Sequence, residues 1–213
     1  MAAITEDIMG WFSQVKSSWQ KNQLQRPELA SMFVPPLADQ WVAIDCEMTG
    51  LNAKKHHILS VAAIHINGNM IDTGNGLHLV CSPPAMPERD TIVIHGLRTT
   101  DVVHGMSYDE MLALLLPFIG NRAIVGFCPQ IDITFLNPLI KQYMGMALPN
   151  QVLDVRYLYA QRMGDSNPKV PKSSQQLPKI LAHYNIPEFG NHDAYNDAMM
   201  TAMAFLHVRS KRL

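Results

Sequence analysis

No stretch of this sequence is long and apolar enough to cross a bilayer. The longest apolar run, Leu112 to Gly120, falls far short of the about 20 residues that a spanning helix needs. The N-terminus also lacks the basic and then apolar regions of a secretory signal, carrying Glu6 and Asp7 instead. Cysteine is scarce: three residues, odd in number and widely spaced, form neither a disulfide framework nor a zinc-binding pattern. These absences predict a chain of the reducing cytoplasm with no membrane partner. An excess of positive charge is missing as well, since 17 Lys and Arg face 18 Asp and Glu for a net charge of −1. Broad electrostatic attraction to nucleic acid is thereby excluded, and any such binding must use a local site. Internal repeats are absent too.

What is present describes one globular domain. A chain of 213 residues, 47% hydrophobic and 16% charged, can bury a substantial core. Residues 1–38 read as an N-terminal helical extension and connector, and 39–213 as the domain proper. In the extension, Ile8, Trp11, Phe12, Val15 and Trp19 recur at helical spacing, giving an amphipathic helix that packs on its own domain or docks a partner. Arg26-Pro27-Glu28-Leu29 opens a second short helix with Pro at its first position, and Pro35-Pro36 marks the connector. Strands are expected at 40–46, 57–66 and 70–80, the last two joined at an Asn67-Gly68 turn. Ser107 and Glu110 form a capping box before a helix carrying Met111, Leu112, Leu115 and Phe118. Ala123 to Gly126 reads as a fourth strand, parallel to the first. Helices follow: one around Asp132 ending by Gly145 with a kink or split at Pro138, one over 151–163, one over 174–185, and a last one after Asp193. A polar, mobile loop is expected at 165–173.

Chemistry concentrates at element ends. The apolar run Trp41 to Ile44 ends in Asp45, Cys46 and Glu47 and breaks at Thr49-Gly50. Alternation along a strand puts Asp45 and Glu47 on one face and Cys46 on the other. Two carboxylates at the end of a buried strand repel one another and are costly to desolvate, and a divalent cation removes both problems. Taken alone, the pair fits equally well as one buried acid satisfied by backbone amides beside one exposed acid. The rest of the chain tips the balance, because Asp132 opens the helix after the fourth strand and His192 and Asp197 flank the start of the last helix. In an open α/β sheet, ligand sites collect at strand ends. A carboxylate-rich, histidine-poor set favours Mg²⁺ or Mn²⁺ over zinc. Two such ions about 3.5–4 Å apart clamp the attacking and leaving oxygens of a phosphodiester, and a histidine outside the metal shell can take a proton from the attacking water.

Three motifs in order resemble the DnaQ-like, or DEDDh, family of 3′–5′ exonucleases: Asp45-Cys46-Glu47-Met48-Thr49-Gly50-Leu51, then Ile124-Val125-Gly126 with Asp132 and Phe135-Leu136, then His192-Asp193-Ala194-Tyr195-Asn196-Asp197. The resemblance covers roughly residues 39–208. It implies a ribonuclease H-like mixed five-stranded α/β sheet flanked by helices. It also implies two bound Mg²⁺ or Mn²⁺ ions on Asp45, Glu47, Asp132 and Asp197, with His192 as general base. Met48, Thr49, Gly50, His95 and Phe135 would line the substrate groove. The implied partner is the 3′ end of a single strand, DNA before RNA, with a polymerase or other protein as a further partner through the N-terminal helix. Phe127-Cys128 departs from the His-Asn that the family usually carries there, which bears on substrate preference more than on chemistry.

Other readings compete. An exonuclease for RNA or short oligonucleotides fits the same residues. A non-catalytic, polymerase-associated binding module would gain nothing from uncompensated acids. An HD-type phosphohydrolase built on His192-Asp193 is all-helical, whereas this chain opens with strands. His56, His57, His65, His78, His104, His183 and His207 read as surface or satisfied core groups, and Asp154 as a helix-start acid.

Overall fold

The computed structural model describes residues 24–85, 97, 99–164, 176–190 and 192–210. The amphipathic helix at 4–22, His95 and the loop at 165–173 lie outside them. At the centre is β1 (Gln40–Met48), in which Val42, Ala43 and Ile44 are all but inaccessible to solvent. It pairs antiparallel with β2 (Ile58–Asn67) and parallel with β5 (Ala123–Gly126), which pairs in turn with β6 (Val152–Asp154). β3 (Met70–Ile71) and β4 (Leu77–Val80) both pair antiparallel with β2. The order is β3-β2-β1-β5-β6 with β4 also on β2.

The sheet therefore has six strands where five are implied and four are placed: β6 is added, and the expected strand over 70–80 is broken in two. Asp72, Gly74, Asn75 and Gly76 interrupt it, the Asn75 amide donating to both Asp72 carboxylate oxygens (3.0 and 3.1 Å). The local side-chain bonds compete with the ladder and win over these few residues. A second correction concerns 151–163, expected as one helix. Val152 and Leu153 instead pair with Ile124 and Val125, and the helix begins only at Val155. Pairing on the exposed edge of β5 outweighs the helical preference of the segment.

Alternation along β1 divides the core. Val42, Ile44 and Cys46 pack with α2 (Tyr108–Ile119) and α3 (Gln130–Met144), whereas Ala43 and Val125 pack with α4 (Val155–Arg162), α5 (Leu177–His183) and α6 (Ala194–Arg209). A short α1 (Thr99–Val103) precedes α2. The capping box of α2 is present in both directions: Glu110 N–H donates to the Ser107 hydroxyl oxygen (3.3 Å) and Ser107 N–H donates to Glu110 (2.8 Å). α3 continues through Pro138 as one helix, so of the expected kink or split the split does not occur, and it ends at Gly145 in the left-handed conformation (φ 88°). α5 is shorter than expected, ending before Asn185, another left-handed residue (φ 54°).

The described end of the extension is built into this core. A 3-10 helix at Pro27–Phe33, with Pro at its start, buries Leu29, Met32 and Phe33 against the α2–α3 side. Arg26 lies over the Tyr143 ring (4.2 Å to the centroid), and Gln25 N–H donates to Met144 C=O (3.1 Å).

Candidate active site

Three of the four acids converge. Asp45, Glu47 and Asp197 each place a carboxylate oxygen within 4.8 Å of the others, at the end of β1 and the first turn of α6. The two strand acids share the α6 face, as alternation requires. Asp132 comes from the opposite side, in the first turn of α3, which packs on the Cys46 face. Its carboxylate is held by the Cys46 backbone N–H and thiol, and of the neighbouring charges its own bears most strongly on Asp45.

Electrostatics show what such crowding costs. Burial, and then the charges of Asp132, Asp197 and Glu47, hold the Asp45 carboxyl well above the usual carboxylate range. Burial pushes Asp132 up to about 8, against the pull of its backbone and Cys46 hydrogen bonds. Asp197 is raised to about 6 by burial and the Glu47 charge, although the His192 N–H pulls it down. Asp45 and Asp197, whose burial favours the protonated form, meet Glu47 in an all-oxygen donor set. That set fits a hard divalent cation, which would neutralise them.

His192 reaches this group through its backbone. It adopts the left-handed conformation (φ 62°), uncommon outside glycine, which directs its N–H to Asp197 Oδ2 (3.2 Å) while the residue itself stays exposed. Asp193 then caps α6, its Oδ1 accepting from Asn196 N–H (2.9 Å). Tyr195 anchors the same turn from outside. Its hydroxyl donates to Thr73 C=O (2.8 Å), and a Cβ on Gly76 would lie 2.7 Å from its ring. The break between β3 and β4 thus supports the helix that carries Asp197.

The expected substrate residues divide. Met48 ends β1 at a bulge, partly buried against the core. The Thr49 hydroxyl oxygen accepts the His57 N–H (3.0 Å) and lies 3.3 Å from His56 Nδ1, closing the loop after β1. Gly50 lets the His56 ring approach, since a Cβ there would lie 2.8 Å from it. Phe135 is 5% exposed and packs in the core beneath the site. His95 lies outside the described residues.

Sequence reasoning passed over Arg156, which carried no signal, and named Asp193 without its role as the cap of α6. Asp154 is the helix-start acid expected of it, accepting from Arg156 N–H (2.9 Å). At Gly126 the Pro129 ring comes so close that a Cβ would lie 2.5 Å from Pro129 Cβ. Gly126→Ala is expected to displace the turn that opens α3, and Asp132 with it. Thermal melts should show a loss of about 1–3 kcal/mol, and kinetics a fall in kcat of roughly 10²-fold from misplacement of one acid. Parent-like kcat would show that the turn absorbs the methyl group.

A family model described as exonuclease (RNase T) matches residues 42–205. The DNA polymerase III subunit epsilon of Aquifex aeolicus is 30% identical over 79% of this chain and 79% of its own. A PolC-type DNA polymerase III of Thermotoga petrophila is 27% identical over 78% of this chain, which spans only 12% of that protein. Among solved structures, E. coli exonuclease I in complex with a dA16 oligonucleotide superposes with a TM-score of 0.66 at 14% identity, over 80% of this chain and 41% of that one. The shared fold is a mixed sheet flanked by helices, as the sequence implied. Among the described residues no helix is long and apolar enough to cross a membrane.

Proposed function

This chain belongs to the exonuclease family, and we propose that it removes nucleotides one at a time from the 3′ end of single-stranded DNA, releasing nucleoside 5′-monophosphates in the cytoplasm. The observation that carries this reading is the meeting of Asp45, Glu47 and Asp197 oxygens within 4.8 Å beside the buried Asp132. We assign two Mg²⁺ or Mn²⁺ ions to these four acids. Bound there, the ions would neutralise the carboxylates and stabilise the charge that develops on the phosphate.

The chain's own residues do the rest. His192, exposed beside the acids, takes a proton from the water that attacks the phosphorus. The P–O3′ bond breaks, the shortened strand keeps a 3′-hydroxyl, and the phosphate leaves on the released nucleotide. Asp132 and Asp197 come from rigid helices, so the acids are preorganised around the reacting phosphate. Met48, Thr49 and Gly50, at the end of β1, border the terminal nucleotide, and His95 is assigned to the same groove. Phe135 supports this floor by packing. The 30% identity to a polymerase subunit, over most of both chains, supports DNA as substrate and a polymerase as partner. Residues 1–38 are assigned to an extension whose first helix would offer that contact.

The test is an exonuclease assay on 3′-single-stranded DNA and RNA of equal length with Mg²⁺, Mn²⁺ or EDTA. Mononucleotides should appear from DNA with either ion and be abolished by EDTA. Undiminished activity in EDTA, or equal cleavage of a closed circular single strand, contradicts the reading. Preference for RNA would move the substrate class while leaving the chemistry in place.

A further inference from the structure

We infer that Phe127, Arg156 and Tyr157 form a second nucleotide subsite, in which Arg156 binds the phosphate one step upstream of the scissile one. The inference rests on the exonuclease reading above.

Arg156 is held in an unusually complete setting. Its Nε lies 3.2 Å from both oxygens of Asp154, and its Nη2 donates to Asp154 Oδ2 at 2.6 Å. Its guanidinium carbon is 5.5 Å from the Phe127 ring centroid and 5.7 Å from that of Tyr157, within cation–π range of both. The Asp154 pairing accounts for one edge of the guanidinium and for the cap of α4. It leaves the Nη1 edge for another acceptor, and the side chain keeps 20% of its surface exposed. A planar fork held on one edge by a carboxylate and flanked by two rings is preorganised for phosphate.

The topology puts this fork beside the acids. β1, β5 and β6 are neighbours in parallel, and their C-terminal ends carry Asp45 and Glu47, then Phe127, then Asp154 and Arg156. Phe127 packs on the α6 side of the sheet, the side of the three converging acids. Between them Cys128, left-handed at φ 59°, turns the chain into α3 and feels the charges of Arg156 and Asp154 as well as those of Asp132 and Asp45. Two strand spacings separate β1 from β6, about 10 Å, and Arg156 shortens that gap by reaching back to Phe127 at the end of the intervening β5. A strand leaving the acids across the β5 turn therefore brings its next phosphate to Arg156, and the preceding base to the aromatic rings, which accept any base by stacking.

The experiment compares two dinucleotides with the full-length protein and Mn²⁺: NpN, which has only the scissile phosphate, and pNpN, which adds the upstream one. Release of mononucleotide from NpN by the parent tests the exonuclease reading. The ratio of kcat/KM for pNpN over NpN tests the subsite. In the parent this ratio should be about tenfold, and in Arg156→Gln it should fall toward one. Arg156→Lys, which keeps the charge and stem without the fork, should lie between and serves if the Gln variant does not fold. A parent ratio near one, or a ratio that survives both substitutions, overturns the inference.

Discussion

Asp45→Asn is expected to abolish nearly all turnover while leaving the metal-free protein more stable than the parent. The rate loss should be at least on the order of 10³-fold, because several kcal/mol of transition-state charge stabilisation depend on the ions that Asp45 would hold. The gain in stability follows from the proton affinities. Asp45 lies well above the usual carboxylate range, Asp132 near 8 and Asp197 near 6, each raised first by burial. In the unfolded chain these acids titrate near 4. As pH rises from about 4 to about 8, the unfolded state sheds protons that the folded state retains. Their contribution to stability, fully present below about 4, is therefore lost progressively across that window. An amide at position 45 removes one such group and relieves the repulsion felt by its neighbours. The melting temperature of Asp45→Asn in chelator should thus exceed that of the parent by more at pH 8.5 than at pH 5, with about 2–4 °C for each kcal/mol recovered. Added Mn²⁺ should stabilise the parent and raise the variant little. A variant that melts below the parent across the whole range would mean that the carboxylate is a structural acceptor, and near-parent turnover would remove Asp45 from the site.

His192→Ala separates chemistry from metal binding. His192 donates its backbone N–H to Asp197, and that group survives the substitution. Metal-dependent stabilisation and binding of a single strand should therefore persist. Turnover should drop roughly 10²–10⁴-fold, the range for one positioned acid–base group. Because burial raises Asp132 to about 8 and Asp197 to about 6 in the absence of metal, a pH profile alone would not isolate the role of His192. Chemical rescue avoids this. Added imidazole should restore part of the rate in His192→Ala and none in Asp197→Ala, whose defect is a lost ligand. Turnover close to that of the parent would reduce His192 to a helix-approach residue, held left-handed for the sake of its N–H.

Much of this site is legible in the order of residues because short-range rules govern it. The Trp41–Ile44 run, its two acids and the Thr49-Gly50 break make a strand and its exit whatever surrounds them. The His192–Asp197 spacing likewise puts one residue before a helix and the other in its first turn. The interrupted β3–β4 edge was not legible, since nothing local says that an Asp72–Asn75 bond outcompetes a ladder. Nor was β6, whose residues become a strand only because β5 offers an unpaired edge. The bond by which the Thr49 hydroxyl accepts from His57 N–H and closes the loop after β1 is likewise not written in any local pattern.

The sequence by itself determined which side chains are candidates for the site and on which elements they ride, because strand alternation and helix starts depend on neighbours a few residues apart. Only the tertiary structure decided how those elements meet. Asp197 joins Asp45 and Glu47 because α6 packs on one face of β1, and Asp132 approaches from the Cys46 side because α3 packs on the other. Which face a helix covers is settled by burial of the whole sheet, and Arg156 is brought beside Phe127 by the β5–β6 pairing alone. Such contacts span residues distant in the chain, and their energies come from desolvation and packing that no local pattern contains.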